Sequence, residues 1–406
     1  MTSPVDRRDF LAAGTAALLS GAAVESARGF AANDTLRVGC IGTGGRCRTL
    51  MKSLVEVPNV KITAVCDVWD ANLAEGKKLA DQDAFATKQF EELLARKDVD
   101  AVLIGSPDHW HVPLTVAACA AGKDVYVEKP LTHDLSEGRT VIDAQNSNKR
   151  IVQVGTQQRS MTHIAKAYEL HKKGTIGKVH KVHCTWNRNA ARAQRYKEGI
   201  DPKTVDWKRF LGAAREQPFD PYRFRQWRWF WDFGGGLFTD LMVHWIDVIH
   251  WFLDLDHPQT AASVGDYYSA KDVWETPDTV QTLLRYPDQE VQVYFEGTFS
   301  SNRNGSMVEF MGSEGTLYID RGRYEVIPDR DKKLAASSLV LGSDPRRGLD
   351  FYDKPNGELL HLSNWVESVR SRKKPNCPAE AGVSSASAAH LANQAIRTGQ
   401  VAVWKA

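Results

Sequence analysis

The sequence predicts an α/β protein in two parts: a doubly wound parallel sheet, then an α/β domain built on an open, mainly antiparallel sheet. Three observations predict this. From Leu36 to Gln157 short apolar runs alternate with helical stretches, the pattern of a parallel sheet. From Ala262 to Tyr324 strand-like runs recur with turn signals between them, the pattern of an antiparallel sheet. At 406 residues the chain is long enough for two such domains.

The elements follow in order. Leu36-Arg37-Val38-Gly39-Cys40-Ile41 is an apolar run that feeds directly into Gly42-Thr43-Gly44-Gly45-Arg46. Thr49–Leu54 is the first helix after that turn. Ile62–Cys66 is a second run and ends on Asp67. Asn72–Leu79 and Gln89–Ala95 read as short helices, and Ala101–Ile104 as a buried strand ending at Gly105-Ser106-Pro107. Pro113–Ala121 returns as a helix closed by Gly122. Val125–Val127 and Ile151–Val154 complete the unit.

Beyond Arg159 the texture changes. Met161–Lys173 reads as a helix and Lys178–Trp186 as an alternating strand. Asn187 to Phe230 is long, polar and rich in Arg and Trp, a loop elaborated over a pocket. Leu237–Leu253 is a helix, and the strand-rich stretch follows. Leu362–Arg370 and Ala386–Arg397 are the last helices, the latter packing back on the first domain. The expected divisions are 1–33 as a leader, 34–158 and 159–385 as the two domains, and 386–406 as a returning C-terminal helix.

The glycine turn carries the first chemistry. Gly42 allows a tight strand-to-helix turn, and Gly44 lets a pyrophosphate approach the backbone at a helix N-terminus. Asp67 lies 23 residues beyond Gly44, where a carboxylate would accept from the adenosine 2′-hydroxyl of a dinucleotide. A 2′-phosphate would be repelled there, which favours NAD over NADP, although Arg46 could host such a phosphate. Cys47 replaces the third glycine of the fingerprint. Ser106, Pro107 and His111 fall at the carboxyl end of a strand, where the ligand crevice of such a sheet lies. They are assigned to cofactor contact with Gly42, Thr43, Gly44, Gly45, Arg46, Asp67, Glu128, Lys129 and Gln157.

Composition excludes several classes. Hydrophobic content of 42%, charged content of 25% and a net charge of +2 give no case for nucleic-acid binding. No apolar run reaches the ~18 residues of a membrane span. The six cysteines show no metal or disulfide spacing and read as small buried hydrophobes. His109 and His111 lack a nearby third ligand, so no metal is expected. At the N-terminus, Asp6-Arg7-Arg8-Asp9-Phe10-Leu11 precedes a small-residue apolar stretch from Ala12 to Val24. It resembles a twin-arginine export signal, with Asp6 and Ala12 departing from the usual residues, and implies a periplasmic protein.

The remaining motifs are Ser106-Pro107-Asp108-His109-Trp110-His111, Glu128-Lys129-Pro130 and the run from Gly234-Gly235-Gly236 to His244. With the glycine turn they make the chain resemble the glucose–fructose oxidoreductase / inositol dehydrogenase family, in its exported twin-arginine branch. The resemblance covers essentially everything after residue 35. It implies a Rossmann domain plus an α/β domain with a large open sheet, whose face often forms homo-oligomer contacts. Export of a folded protein, with nucleotide loaded in the cytoplasm, would in turn require a tightly held NAD. The family's catalytic set carries over onto Lys129, Asp240 and His244.

The residues support that set independently. An i, i+4 spacing places Asp240 and His244 on one helix face. Histidine suits proton transfer near neutrality, and a neighbouring carboxylate can orient it. Lys129 would stabilise developing alkoxide charge. Alone, an Asp/His pair at this spacing is more often a local hydrogen bond; the cofactor fingerprint reverses that. Seven of the twelve tryptophans fall between positions 186 and 251. Flat aromatic faces beside arginine suit a pyranose, and Trp186, Arg188 and Trp229 are assigned with Lys129, Asp240 and His244 to substrate contact; packing is the competing reading for any single tryptophan. The expected function is oxidation of a secondary alcohol of a sugar, glycoside or polyol. The alternatives are an NAD-requiring glycoside hydrolase or lyase working through transient oxidation, and a non-catalytic nucleotide-binding sensor.

Overall fold

A computed structural model describes residues 35–189, 199–341 and 356–405. The export-type leader expected over 1–33 lies outside the described residues.

The first sheet has six parallel strands: β1 (Leu36–Ile41), β2 (Val60–Cys66), β3 (Phe85–Thr87), β4 (Ala101–Ile104), β5 (Asp124–Val127) and β6 (Val152–Val154). Their order is β3-β2-β1-β4-β5-β6, which places the topological switch between β1 and β4. All four residues of β4, and all four of β5, are buried. Both faces are therefore covered, as a parallel sheet requires. The covering helices are α1 (Gly45–Leu54), α2 (Asp70–Lys77), α3 (Phe90–Leu94), α4 (His111–Ala120) and α5 (Glu137–Ser147). Three findings differ from expectation, the first being the short strand β3, which no run in the sequence announces. The first helix begins at Gly45 rather than Thr49, and α5 was not foreseen.

The second sheet has nine strands among the described residues, in the order β14-β13-β12-β11-β7-β10-β9-β8-β15. In chain order these are β7 (Val179–Asn187), β8 (Thr260–Asp266), β9 (Thr279–Tyr286), β10 (Val291–Thr298), β11 (Ser306–Gly312), β12 (Gly315–Asp320), β13 (Arg323–Pro328), β14 (Ser337–Val340) and β15 (Ala402–Val403). Of these, only β7 and β10 run parallel; every other pairing is antiparallel. Alternation explains the one-sided cover: in β9, Val280, Thr282, Leu284 and Tyr286 are buried while Gln281, Leu283 and Arg285 are exposed. The buried face packs on α6 (Thr162–Lys172), α9 (Val243–Leu253) and α11 (Ala379–Thr398), with Phe252 stacked on Phe310 at 4.9 Å.

Between β7 and α9 the described part of the long segment folds into short pieces. α7 (Trp207–Leu211) starts where Asp206 accepts from the Arg209 N–H, and α8 (Pro221–Arg225) where Asp220 accepts from the Tyr222 and Arg223 N–H groups. These side-chain caps satisfy orphan donors at each helix start. The expected helix Leu237–Leu253 opens with a π-helical turn, Phe238–Met242, before α9. α10 (Gly357–Ser371) packs on α1. The last long helix, α11, starts seven residues earlier than Ala386. It lies against both sheets: a Cβ on Gly382 would meet Val154 at 2.6 Å, while Ala388, Leu391 and Ala392 join the core of the second sheet.

Candidate active site

At the switch point, Gly42 holds φ +78°, and a Cβ there would meet the Ser106 backbone nitrogen at 2.7 Å. Only glycine fits this crossing of β1 and β4. Gly44 differs: a Cβ at this position would have its nearest neighbour 3.8 Å away, so its bareness leaves room at the N-terminus of α1. Cys47 packs where a third glycine would stand, and the space comes from the opposite side, where a Cβ on Gly105 would lie 2.7 Å from that of Cys47. Thr43 donates to the Asn72 carbonyl at 2.9 Å and ties the turn to α2.

Gly42, Gly44, Asn72, Gly105 and Ser106 line a cleft of about 290 Å³. Asp67 stands in it, buried, accepting from the Trp69 N–H at 2.9 Å. Burial pushes its carboxyl up to about 6, against the Trp69 and Asn72 hydrogen bonds and the charge of Arg48. The Ser106 hydroxyl has no protein partner although buried. A positive-φ glycine, open space at a helix N-terminus and a carboxylate beyond the second strand together fit a dinucleotide. Phe210, Phe224, Arg225 and Trp227, from the segment between β7 and α9, close the outer side.

Arg46 needs a correction. Its guanidinium donates to Glu128 Oε1 at 2.9 Å and to Glu358 on α10. A 2′-phosphate would have to compete with two buried carboxylates, so Arg46 is a poor host for one. Gln157 joins the same network, donating to Glu128 at 3.0 Å and to the Tyr126 hydroxyl at 2.9 Å.

A second cavity, of about 270 Å³, shares Arg46, Gly105, Ser106, Trp227 and Arg228 with the first. Lys129, Asp240 and His244 line it together. Lys129 Nζ donates to the Asp240 carbonyl at 2.6 Å and to its Oδ1 at 3.1 Å; Arg228 Nε donates to the same Oδ1 at 3.1 Å. Burial works to raise the Asp240 carboxyl, but Lys129 and Arg228 outweigh it and hold it well below the usual carboxylate range. Burial, then Lys129 and Arg321, drive the His244 imidazole well below its usual value. It is therefore neutral at neutral pH and can accept a proton. Its ring lies 5.0 Å from that of Trp186.

The loop before Asp240 is fixed by its neighbours. Gly236 holds φ +65°, the Gly235 N–H donates to Thr239 Oγ1 at 3.0 Å, and Asn393 on α11 donates to the Gly235 carbonyl at 2.9 Å.

Two assignments change role. The ring nitrogens of His111 lie 2.6 and 2.9 Å from the Pro130 and Ser106 carbonyls. The side chain clamps the turn after Lys129, leaving no ring nitrogen for a cofactor. Trp229 is 2% exposed and stacks on Trp274 at 4.3 Å, so packing is its main work even where it borders the cavity. Trp227, with Arg228 at 4.2 Å from its ring, lies between the two cavities instead.

Sequence reading passed over Arg228, Arg321, Gln158 and Asp108. Burial pushes the Asp108 carboxyl up to about 7, with Lys129 and Arg228 opposing. Thr239 donates to it at 3.3 Å. Its place in the Ser106–His111 motif was a usable signal. Arg321 had none, since it reaches the cavity from the β12–β13 turn.

Comparison with known proteins agrees with this layout. Residues 36–156 match a family profile described as an oxidoreductase family, NAD-binding Rossmann fold. Residues 169–403 match its companion, the C-terminal alpha/beta domain. Myo-inositol 2-dehydrogenase of Thermotoga maritima is 24% identical over 350 residues, covering 86% of this chain and 92% of that protein. A glycosyl hydrolase family 109 protein of Solibacter usitatus is 33% identical over 131 residues, 30% of each chain. Levoglucosan dehydrogenase, solved with NADH, superposes with a TM-score of 0.71 at 16% identity, covering 91% of this chain and 98% of that one.

Proposed function

We propose, for a chain that belongs to the glucose–fructose oxidoreductase / inositol dehydrogenase (Gfo/Idh/MocA) oxidoreductase family, that it oxidises a secondary alcohol of a sugar, glycoside or polyol with NAD. The observation that carries this reading is the meeting of Lys129, Asp240 and a neutral His244 in a cavity contiguous with the glycine-turn cleft. Bound NAD supplies the hydride acceptor. Gly42 and Gly44 would admit its pyrophosphate, Asp67 its adenosine ribose, and Ser106 the segment between the cavities. The Asp67 carboxylate favours NAD over NADP.

His244 would take the proton from the hydroxyl oxygen as hydride leaves the carbon that bears it. The Lys129 ammonium donates to the oxygen and stabilises its developing charge. Asp240 holds Lys129 and Arg228 in place, and offers its carboxylate to a neighbouring substrate hydroxyl. Relatives that are inositol and levoglucosan dehydrogenases support a cyclic polyol or sugar as substrate.

The Arg7-Arg8 leader supports export of the folded protein to the periplasm, with nucleotide loaded beforehand and tightly held. The exposed face of the second sheet suits a homo-oligomer contact.

The second reading, redox-neutral glycoside cleavage, is favoured by the partial match to a glycosyl hydrolase family 109 protein. One experiment separates the two. Protein with its nucleotide identified by mass is incubated with sugars and aryl glycosides, while NADH absorbance and aglycone release are followed together. NADH accumulation is the expected result. Aglycone release without NADH would overturn it in favour of the hydrolase.

A further inference from the structure

The wall of the substrate cavity is cationic. Among the described residues five positive side chains line it, Arg46, Lys129, Arg188, Arg228 and Arg321, against two carboxylates, Glu128 and Asp240. The carboxylates are already engaged: Glu128 accepts from Arg46, and Asp240 from both Lys129 and Arg228. Arg188 and Arg321 approach one indole, at 5.4 and 5.7 Å from the Trp186 ring centroid, and that indole leans on His244. Both guanidiniums therefore stand near the reacting pair. Each carries five N–H donors, so one that holds a neighbour still offers others to an anion.

A neutral polyol finds acceptors here in Asp240 and in the Gln158 amide, whose buried oxygen and nitrogen have no protein partner, but it gains nothing from the excess positive charge of the wall. A carboxylate or phosphate gains much, because planar guanidiniums bind such oxygens in charge-assisted, often bidentate pairs. The indole they share is 4% exposed and packs on His244, so it fixes where the guanidiniums stand.

We propose that this cavity selects a carbohydrate carrying an anionic group, a carboxylate or a phosphate, held by Arg188 and Arg321 beside Trp186. The inference rests on the oxidoreductase reading for its chemistry but not for its binding.

The test uses the full protein with its nucleotide bound. Binding of neutral hexoses, of the corresponding uronic acids and of the hexose 6-phosphates is read by tryptophan fluorescence, and NADH formation is recorded separately. An anionic sugar is expected to bind about ten- to a hundredfold tighter than its neutral parent, as charge-assisted hydrogen bonds allow. The acid and phosphate arms show which anion is preferred. The preference should shrink as ionic strength rises. In Arg321→Ala the ratio of anionic to neutral affinity should collapse, and Arg321→Lys should restore part of it, with melting temperatures confirming that both variants fold. Neutral sugars binding as tightly as their acids and phosphates, or no anionic sugar binding at all, would overturn the proposal. Anion-selective binding without NADH would instead overturn the oxidoreductase reading and leave the anion site standing. NADH from neutral hexoses with no anionic preference would do the reverse.

Discussion

Cys47 and Gly105 show how one contact can be written in two places. The fingerprint expects its third glycine on the helix; here the small residue sits on the strand side and a thiol fills the gap. A pattern read along the chain misses such an exchange, because the partner lies 58 positions away. Arg321 escaped for the same reason, whereas Lys129, Asp240 and His244 were legible because each lies inside a contiguous motif. Asp67 was legible too, and its burial has a measurable consequence. Its carboxyl titrates at about 6 in the fold, against 3.8 ordinarily. Between those values the folded chain holds a proton that the unfolded chain has released. Stability from this group is therefore lost as pH rises through that window, by at most about 3 kcal/mol. Asp67→Asn should raise the melting temperature of nucleotide-free protein at neutral pH, with the gain vanishing near pH 4, and should weaken NAD binding. Lys129→Met should keep bound nucleotide yet lower turnover by about 10²- to 10³-fold; single-turnover kinetics would check it. His244 is kept neutral by burial, Lys129 and Arg321. Removing one of those charges in Arg321→Ala should move the acid limb of the kcat/KM profile to higher pH.

Elements were legible in proportion to how apolar they are. Each of the four-residue runs of β4 and β5 reads as a buried strand on sight. α5, EGRTVIDAQNS, buries only Gly138, Val141 and Gln145, too thin a stripe to be read as a helix. The first turns of α11 are hidden differently. Gly382, Ser384 and Ser385 are weak helix formers; a Cβ on Gly382 would strike Val154 of β6, and the Ser384 hydroxyl meets His250 and the Asp256 carbonyl. The π-helical turn over Phe238–Met242 also left no trace, since helical spacing alone places Asp240 and His244 together. Such turns gather at functional sites, and the loop that leads into this one is held by Asn393. Asn393→Ala should loosen the Gly234–Gly236 loop, costing about 1–3 kcal/mol for the unsatisfied carbonyl and lowering kcat/KM about tenfold with nucleotide content unchanged. Thermal melts and steady-state kinetics together would check both halves.

At the scale of the whole molecule, the two sheets meet through buried charge as well as apolar packing. Arg159, just after β6, donates to Asp247 on α9 at 2.7 and 2.9 Å, and Asp247 is fully buried. Breaking one partner strands the other in a low dielectric. Asp247→Asn should cost about 3–5 kcal/mol in urea unfolding, and, because His244 lies one turn away on the same helix, turnover should fall with it. α11 binds the assembly from the other side: Gly382 lies against Leu131 and Val154, His390 contacts Thr132 at 3.0 Å, and Asn393 holds Gly235. One helix thus fastens the turn after Lys129 and the loop before Asp240. The consequence is shared failure: a change that tilts this one helix disturbs the lysine turn and the aspartate loop at once, so the two halves of the reacting set are expected to be lost together rather than one by one.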